Sequence, residues 1–405
     1  MNLRKHTPKI AVALVATAIG LSAHGQNTGV GSITPTVDQS TVLQAVDEFE
    51  SSLTADQKAT VQLDFTAANA AKWSNLPVTA AARNGLELTN LTDDQKALAL
   101  RVAQVALSAD GYERLQEIRT ADDYLNENFS SGTTGGTTTG GGTTGGPPST
   151  GGSTSGGPPA TGGSTSGGPS TTSGGTTGGG GTLSYGSGLY YIAFLGTPSA
   201  TTPWMLQIGG HHIAFNIAYN GAKVSTTPFF VGVEPQSFTT DSATQSGLSG
   251  TYTPLGTKKN AVYALLNSLT TDQLATAKLS SSFDDVLLGP SKDKKSDFPT
   301  QQGIAYSALT TAQQTLVKNM IAAWTTDGTA GTAFYNLYVR GLSGTKVAWS
   351  GSDTTLNTQG DYLRIDGPRC WIEFVCQNGV VFTSQIHFHT VWRDKTSDYG
   401  SNVSF

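Results

Sequence analysis

The grouping of the histidines is the feature of this sequence that most directly suggests chemistry. The chain has six histidines, of which His6 and His24 lie in an N-terminal leader. The other four form two clusters, which are His211, His212, His387 and His389. Neutral imidazoles bind Zn, Cu, Fe or Ni, and three protein ligands with one open position are typical of catalytic zinc. The clusters therefore predict a divalent-metal site, with zinc as the first choice and copper or iron as the second.

Two other interpretations of these histidines stay open. Without a metal, His212 together with His387 or His389 would serve as general base and general acid. Alternatively, all four are ordinary sheet histidines whose ring nitrogens bind backbone groups or carboxylates. The first alternative still describes an enzyme, whereas the second describes a binding or surface module with structural histidines.

The first cluster lies in a predicted β-hairpin, HHIAFNIAYNGAKVSTTPFFVGV, whose turn signal is Asn220-Gly221. Side chains alternate between the two faces of a strand. If the strand begins at the cluster, His212 shares a polar face with Asn216, and His211 points to the core. The pattern predicts that His212 reaches the site and that His211 supports it, unless a bulge changes the alternation.

The second cluster lies in a second predicted hairpin, RCWIEFVCQNGVVFTSQIHFHTVW, which also contains an Asn-Gly turn signal. His387 and His389 are two residues apart and therefore share one face of their strand. The ideal register pairs His387 with Cys370, which makes Cys370 a candidate fourth ligand. The same register pairs Glu373 with Ser384 and places Glu373 on the opposite face, although a one-residue bulge would reverse this.

Three charged residues near the second cluster are candidates for catalytic roles, namely Glu373, Arg393 and Asp394. Glu373 interrupts an apolar run and needs a partner if it is buried. Arg393 and Asp394, with Asp398 close behind, could bind an anionic group or orient a ligand histidine. A surface ion pair is the alternative for these residues.

The composition excludes several classes of protein. The net charge of −5 provides no basic surface for nucleic acid, and no apolar run is long enough to span a membrane. Nucleotide-binding loops, the G-x-S-x-G elbow and H-E-x-x-H are absent, so the sequence predicts no nucleotide cofactor. Cys370 and Cys376 would be roughly 20 Å apart on one strand at ~3.3 Å per residue, too far for a disulfide. The sequence does not indicate whether the substrate is a small molecule or a polymer.

The chain divides into four parts by composition. Residues 1–25 have the basic start, apolar run and small residues of a signal peptide, which predicts a periplasmic or secreted protein. Residues 26–129 have helical spacing. Residues 130–181 contain only Gly, Ser, Thr, Pro and one Ala, which predicts a disordered tract. Residues 182–405 carry both histidine clusters.

A helix-start signature occurs on both sides of the tract, as LTADQ, LTDDQ, LTTDQ and LTTAQ. Each is a capping box, in which a threonine caps the helix and a glutamine reaches back. The threonines are Thr54, Thr92, Thr270 and Thr310. The predicted fold is α+β: an antiparallel sheet built from β-hairpins with helices packed on it, plus an N-terminal helical part. Because the same capping-box signature occurs on both sides of the tract, the sequence indicates that the tract is an insertion within one unit.

Five segments together resemble the uncharacterised family called domain of unknown function 3500. They are WSNLP at Trp73, LTDDQKALALRVAQVALSADGY at Leu91, LYYIAFLGTPSATTPWMLQIGGHHIAFN at Leu189, YLRIDGPRCWIEF at Tyr362 and HFHTVWRDKTSDYG at His387. The resemblance implies one continuous unit with the tract as an insertion. It supports His211 and Glu373 as site residues through the GGHH and GP-x-x-x-I-E-F stretches, and it does not include Cys370. The family implies no activity.

The sequence therefore predicts an exported metalloprotein, with metal-dependent hydrolysis as the first reaction class. Copper or iron redox chemistry is the second choice. An exported module without catalysis remains the alternative from another class.

Overall fold

The structure is a computed structural model that describes residues 33–133, 183–241, 248–292 and 297–400. The predicted signal peptide and nearly all of the predicted tract lie outside the described residues. The helices are α1 Ser40–Ser52, α2 Ala55–Val61, α3 Ala67–Ala71, α4 Asp93–Ala106, α5 Ala109–Thr133, α6 Gly256–Ser268, α7 Thr271–Ala277, α8 Thr311–Thr325 and α9 Gly331–Arg340.

The strands form one large sheet and one small hairpin. They are β1 Gln62–Leu63, β2 Leu86–Glu87, β3 Tyr191–Leu195, β4 Trp204–Gly210, β5 Ile213–Asn220, β6 Lys223–Ser225, β7 Phe229–Val233, β8 Phe238–Thr240, β9 Gly250–Tyr252, β10 Ile304–Ala305, β11 Lys346–Ser350, β12 Tyr362–Asp366, β13 Cys370–Asn378 and β14 Ile386–Asp394. The large sheet has the order β1-β3-β4-β5-β7-β14-β13-β12-β11-β10, with β2 beside β3 and β6 beside β5. Its pairs are antiparallel except β1 with β3, which confirms the predicted α+β fold.

The two faces of the sheet have different coverings. The helices cover one face, where the main core includes Phe374, Phe388 and Trp392. A smaller apolar cluster covers the other face and includes Val375 and Val391. Because side chains alternate along β14, His387 and His389 share the face of Val391 and lie on the side away from the main core. That side is covered by loops rather than by long helices.

The four predicted capping boxes are confirmed. In each, the threonine oxygen accepts from the backbone N–H of the third helical residue, whose glutamine side chain accepts from the threonine N–H. The glutamines also bind each other in pairs, Gln57 with Gln95 and Gln273 with Gln313. The signature thus also joins neighbouring helices.

The two halves of the chain repeat one arrangement. In the first half, the 13-residue helix α1 is followed by the seven-residue helix α2, which is joined to α4 through Gln57 and Gln95. In the second half, the 13-residue helix α6 is followed by the seven-residue helix α7, which is joined to α8 through Gln273 and Gln313. Gly85 and Gly303 have positive φ and approach the carbonyl groups of Ile192 and Val347 on β3 and β11. Four strands of each half, β3-β4-β5-β7 and β11-β12-β13-β14, meet where β7 pairs with β14. This repetition was not apparent from the four signatures alone.

The structure corrects the predicted position of the first histidine cluster. Gly210 of β4 pairs with Ile213 of β5, so His211 and His212 form the two-residue turn between these strands. The prediction that they lie on a strand and point to opposite faces is therefore wrong. The Asn220-Gly221 hairpin is present, but its register is shifted because Asn220 pairs with Lys223.

The structure also corrects the register of the second hairpin. Asn378 pairs with Ile386 across the loop 379–385, so the predicted two-residue turn is wrong. Cys370 pairs with Asp394 and packs in the main core, which contradicts its predicted pairing with His387. Glu373 pairs with Val391 and thus shares the face of the two histidines. Both cysteines are buried and free on an unbroken strand, as the spacing predicted.

The chain leaves and re-enters the fold at one place around the tract. The Phe129 and Tyr185 rings are in contact at 5.7 Å, and the Asp123 carboxylate accepts from the Ser187 N–H at 2.7 Å. Arg119 donates to the Ser187 carbonyl at 2.8 Å. These contacts join the two ends without any residue of 134–182.

We therefore expect that replacing residues 134–182 by about ten Gly/Ser residues preserves the fold. The free energy of unfolding should be unchanged or rise by about 1 kcal/mol, because a shorter loop costs less entropy to close. Denaturant unfolding of the full chain and the shortened chain measures this. A loss of several kcal/mol would contradict the prediction that the tract is only an insertion.

Candidate metal centre

A tight turn positions His212. Its φ of 62° is in the left-handed region, which histidine adopts more readily than most non-glycine residues. The backbone is fixed on both sides: the His212 N–H donates to the Asn75 carbonyl at 3.0 Å, and the Gly232 N–H donates to the His212 carbonyl at 2.8 Å. The turn therefore holds this imidazole over the loop-covered face of the sheet.

Three imidazoles converge at this point. One nitrogen from each of His212, His387 and His389 lies within 4.8 Å of the others. The Nε2 atoms of His387 and His389 are 3.2 Å apart. The three side chains come from the β4–β5 turn and from β14, which are separated by β7 in the sheet. All three residues are no more than 6 % exposed, so the group is buried.

The environment keeps two of these rings neutral. Burial, together with the nearby His211, His389 and His387, holds the pKa of His212 well below its usual 6.5. Burial and the neighbouring His389 lower the pKa of His387 to about 2. Neutral imidazoles keep a lone pair available, which is the protonation state that a metal requires.

The geometry of the rings fits a metal ion. Zn–N bonds of about 2.0–2.1 Å in tetrahedral geometry separate two nitrogen ligands by roughly 3.3 Å, close to the 3.2 Å between His387 and His389. His389 Nδ1 binds the Asp285 carboxylate at 2.9 Å, as the second ring nitrogen of a metal-binding histidine usually does, and its Nε2 faces His387 Nε2. His212 Nδ1 is buried and has no hydrogen-bond partner among the described residues. These residues fit zinc, although imidazole also suits copper and iron.

Gly232 creates the space for the rings. It lies on β7 opposite His389. A Cβ at this position would be 2.7 Å from His212 Cδ2 and 2.9 Å from His389 Cδ2. Both distances are shorter than any ordinary contact, so only glycine permits the two imidazoles to approach here.

His211 supports His212 from the side. Their rings stack at 3.7 Å between centroids. His211 Nδ1 binds the Asp122 carboxylate at 2.8 Å, and the Tyr190 hydroxyl donates to the same carboxylate at 3.0 Å. Burial raises the pKa of Asp122, against the opposing effect of His211. Asp122, His211 and His212 form a second group with ligand atoms within 4.8 Å.

Glu373 lies on the histidine face but binds protein donors. Its carboxylate accepts from the backbone N–H groups of Leu287 at 2.5 Å and Leu288 at 2.9 Å. It also accepts from Trp371 Nε1 at 2.7 Å and from the Tyr362 hydroxyl at 2.9 Å. Burial raises the pKa of Glu373, and these hydrogen bonds oppose the rise. Glu373 thus anchors the segment that carries Asp285.

Arg393 fixes the same segment from another direction. It donates to the carbonyl groups of Leu288 at 2.9 Å and Lys292 at 2.6 Å, and it pairs with Asp398 at 2.7 Å. Its side chain is buried, so this ion pair is not at the surface. Arg393 and Glu373 together hold residues 285–292, from which the Asp285 carboxylate reaches His389.

Asp394 lies in a separate network at the far end of β14. It accepts from Arg369 through both carboxylate oxygens and from the N–H groups of Thr396 and Ser397. The structure brings His212, His387 and His389 together, with His211 beside them, and it gives Glu373, Arg393 and Asp394 protein partners.

Four further residues of the site carry no sequence signal. Asp285, Asn75, Asp122 and Tyr190 were not among the predicted site residues. Asn75 Nδ2 is 3.5 Å from His389 Nδ1, on the same side as Asp285. Asn75 and Tyr190 lie in segments that carry the family resemblance, WSNLP and LYYIAFLG, but no role in the site was predicted for either. No spacing relates these residues to the histidines because tertiary packing alone brings them near.

Comparisons with known proteins show a family. No curated protein and no solved structure matches the chain. Within the described residues, no helix is long and apolar enough to cross a membrane. A family model described as "Protein of unknown function (DUF3500)" matches residues 36–401, and this range includes the candidate metal centre and both halves of the sheet. The resemblance in the sequence is thereby confirmed, and the chain belongs to the DUF3500 family.

Proposed function

We propose that this protein binds one divalent metal ion through His212, His387 and His389. The observation that carries the proposal is the convergence of three buried imidazole nitrogens within 4.8 Å. Structural histidines bound to backbone groups would not need to face one another. The buried, unpartnered Nδ1 of His212 and the space at Gly232 support the same proposal.

We further propose hydrolysis as the reaction class, with zinc as the first choice of metal. A zinc ion held by three histidines acts as a Lewis acid and lowers the pKa of a coordinated water, which is the chemistry of hydrolytic zinc enzymes. Asp285 fixes the orientation of the His389 ring by accepting from Nδ1. Glu373 and Arg393 hold the backbone that carries Asp285, so they are positioning residues in this proposal.

Export is also part of the proposal. The basic start, apolar run and small residues of positions 1–25 support a signal peptide. The mature chain would then acquire its metal outside the cytoplasm. Metal analysis should use protein that has been exported, because metal availability differs between compartments.

Metal content is the direct test. We expect about one equivalent of metal in the exported protein and less than about a tenth of an equivalent in a His387→Ala/His389→Ala variant, because three ligands become one. Elemental analysis after gel filtration measures both. The matched control is Ser384→Ala, an exposed position in the loop before β14 that is none of the three proposed ligands, and it should keep its metal. Equal metal contents in all three proteins, or no metal in any, would contradict the proposal.

Hydrolysis needs its own test. Zinc-loaded protein should cleave at least one member of a panel of esters, amides and phosphoesters, and a chelator should stop the reaction until zinc is restored. If the metal is present and no panel member is cleaved, the metal-binding proposal stands and the hydrolase proposal fails. A non-catalytic module would show only a lower melting temperature in the histidine variant.

A further inference from the structure

Glu234 is a buried acidic residue on the histidine face of the sheet that the proposed ligand set leaves out. It directly follows β7 and is 1 % exposed. Side chains alternate along a strand, so Glu234 shares the face of Gly232, whose missing side chain gives room to His212 and His389. The carboxylate therefore belongs to the loop-covered side of the sheet, where the three imidazoles converge.

The strand register places Glu234 opposite His387. The residue two positions before Glu234 pairs with His389 in the antiparallel ladder of β7 and β14, so the same register brings Glu234 to His387. The two chains stay adjacent beyond this point, because Gln236 Nε2 donates to the Ile386 carbonyl at 2.7 Å. Directly opposed residues have Cβ atoms about 4.5–5.5 Å apart, so Glu234 and His387 are neighbours.

Hydrogen bonds fix one oxygen of this carboxylate and leave the other unused. Glu234 Oε1 accepts from the backbone N–H groups of Val380, Val381 and Phe382, each at 2.8 Å. No residue in the described part of the chain donates to Oε2 or forms an ion pair with Glu234. Three N–H donors on one oxygen suit a carboxylate anion and hold the group in one orientation. Glu234 thus has an unused acceptor oxygen and a fixed position next to His387.

The other acidic groups around the histidines are already engaged. Asp285 accepts from His389 Nδ1, whereas the other nitrogen of that ring faces the remaining ligands. Both oxygens of Asp122 have hydrogen-bond partners, and each oxygen of Glu373 accepts from two donors. Glu234 is therefore the acidic group near the histidines that is available for a proton transfer.

We propose that Glu234 is the general base of the candidate metal centre and accepts a proton from the water that attacks the substrate. This assignment rests on the proposed hydrolytic function. The water gives a proton to Glu234 Oε2, and its oxygen forms the new bond to the carbonyl carbon or phosphorus of the substrate. When the old bond breaks, Glu234 returns the proton to the leaving group. The three N–H groups on Oε1 keep the carboxylate in place during both transfers.

Glu234→Gln removes the base and keeps the hydrogen bonds of the loop. The three N–H groups require an acceptor, so the amide oxygen takes the position of Oε1 and the NH2 group takes that of Oε2. The variant therefore has a donor where the native protein has an acceptor. The matched control is Glu48→Gln, on the exposed side of α1. Both variants should keep the native metal content and melt within about 3 °C of the native protein.

The experiment measures the binding of acetohydroxamic acid to zinc-loaded protein by titration calorimetry at pH 7, in two buffers with different ionisation enthalpies. This probe is neutral in solution and binds zinc as an anion, so its proton must go to the protein or to the buffer. We expect almost no proton release from the native protein and from Glu48→Gln, because Glu234 takes the proton. Glu234→Gln should release about one proton per bound probe and bind it about tenfold more weakly or worse.

Acetate is the second probe, because it is already an anion at pH 7 and brings no proton. Its affinity should be equal or higher in Glu234→Gln, since the variant no longer repels an anion. On any ester, amide or phosphoester that the native protein cleaves, Glu234→Gln should lower kcat by about 100-fold or more.

Several results would overturn the assignment. Release of a full proton by the native protein, or equal proton release by all three proteins, would show that Glu234 takes no proton. Weaker binding of both probes to Glu234→Gln would indicate a structural role alone, and loss of zinc would make Glu234 a ligand instead. If elemental analysis finds no zinc in the native protein, the proposed function fails together with this inference. Full zinc content with unchanged hydroxamate binding in Glu234→Gln would refute the base alone.

Discussion

Glu373→Ala is expected to lower the free energy of unfolding by about 3–5 kcal/mol, because it removes the acceptor of four donors, three of them in buried hydrogen bonds. The orphaned groups would be the N–H groups of Leu287 and Leu288, Trp371 Nε1 and the Tyr362 hydroxyl. Release of residues 285–292 should also loosen Asp285, which binds His389. Metal affinity should then fall by roughly 10–100-fold, the usual effect of losing a residue that orients a metal ligand. Denaturant unfolding of the metal-free protein and zinc competition measure the two effects separately.

Two comparisons make the Glu373 prediction specific. Glu48, on the exposed side of α1, is a matched control, and Glu48→Ala should change the free energy of unfolding by less than about 0.5 kcal/mol. Glu373→Gln keeps an acceptor oxygen and should fall between native and Ala. If Glu373→Ala kept native stability but abolished catalysis, the original prediction of a catalytic glutamate would be favoured over the positioning role.

Gly232→Ala should remove metal binding while leaving the fold largely intact. The added Cβ would be 2.7 Å from His212 Cδ2, 2.9 Å from His389 Cδ2 and 3.0 Å from the Phe388 carbonyl oxygen. Overpacking of this kind costs about 1–3 kcal/mol, and the rings must move apart to relieve it. Elemental analysis should find less than about a tenth of the native metal content, and denaturant unfolding should show the moderate loss of stability.

The control for Gly232→Ala is a glycine with room for a methyl group. Gly289 is buried, and its Cβ would be 3.4 Å from Val286 Cγ2, so Gly289→Ala should keep the metal and most of the stability. Full metal content in Gly232→Ala would show that the imidazoles do not converge beside β7.

The helices were predictable because their signals are local. Each capping box lies within four residues, and its two hydrogen bonds form between those residues alone. The pairing of glutamines between boxes was not predictable, because Gln57 and Gln95 are brought together only when α2 and α4 pack. The family membership was likewise predictable, since its motifs are read directly from the chain.

The strand registers were not predictable because turns decide them. Asn-Gly indicated a turn in both hairpins, but the second hairpin closes with the longer loop 379–385. Moving the pairing by an odd number of residues reverses the face of every side chain on one strand relative to its partner. In the observed register, Glu373 therefore shares the face of His387 and His389, and Cys370 pairs with Asp394 instead of His387.

The position of His211-His212 escaped prediction for a related reason. The residues follow two glycines, and the sequence contains no indication that Gly210 and Ile213 pair across them. An uninterrupted strand was the simpler interpretation of the β-branched and aromatic residues that follow. The actual turn gives His212 a left-handed backbone, which no strand would provide.

The repetition of the two halves makes this chain comparable to a homodimer whose subunits have been fused. The pair Gln207–Asn216 on β4 and β5 corresponds to the pair Arg364–Glu373 on β12 and β13, so the His211-His212 turn corresponds to Pro368-Arg369. A symmetric dimer carries the same residues at both equivalent turns. Within one chain the two turns can differ, and here one turn provides an imidazole of the proposed metal centre while the other provides an arginine that pairs with Asp394. The proposed centre therefore occurs once in the chain, where a symmetric dimer would carry it twice.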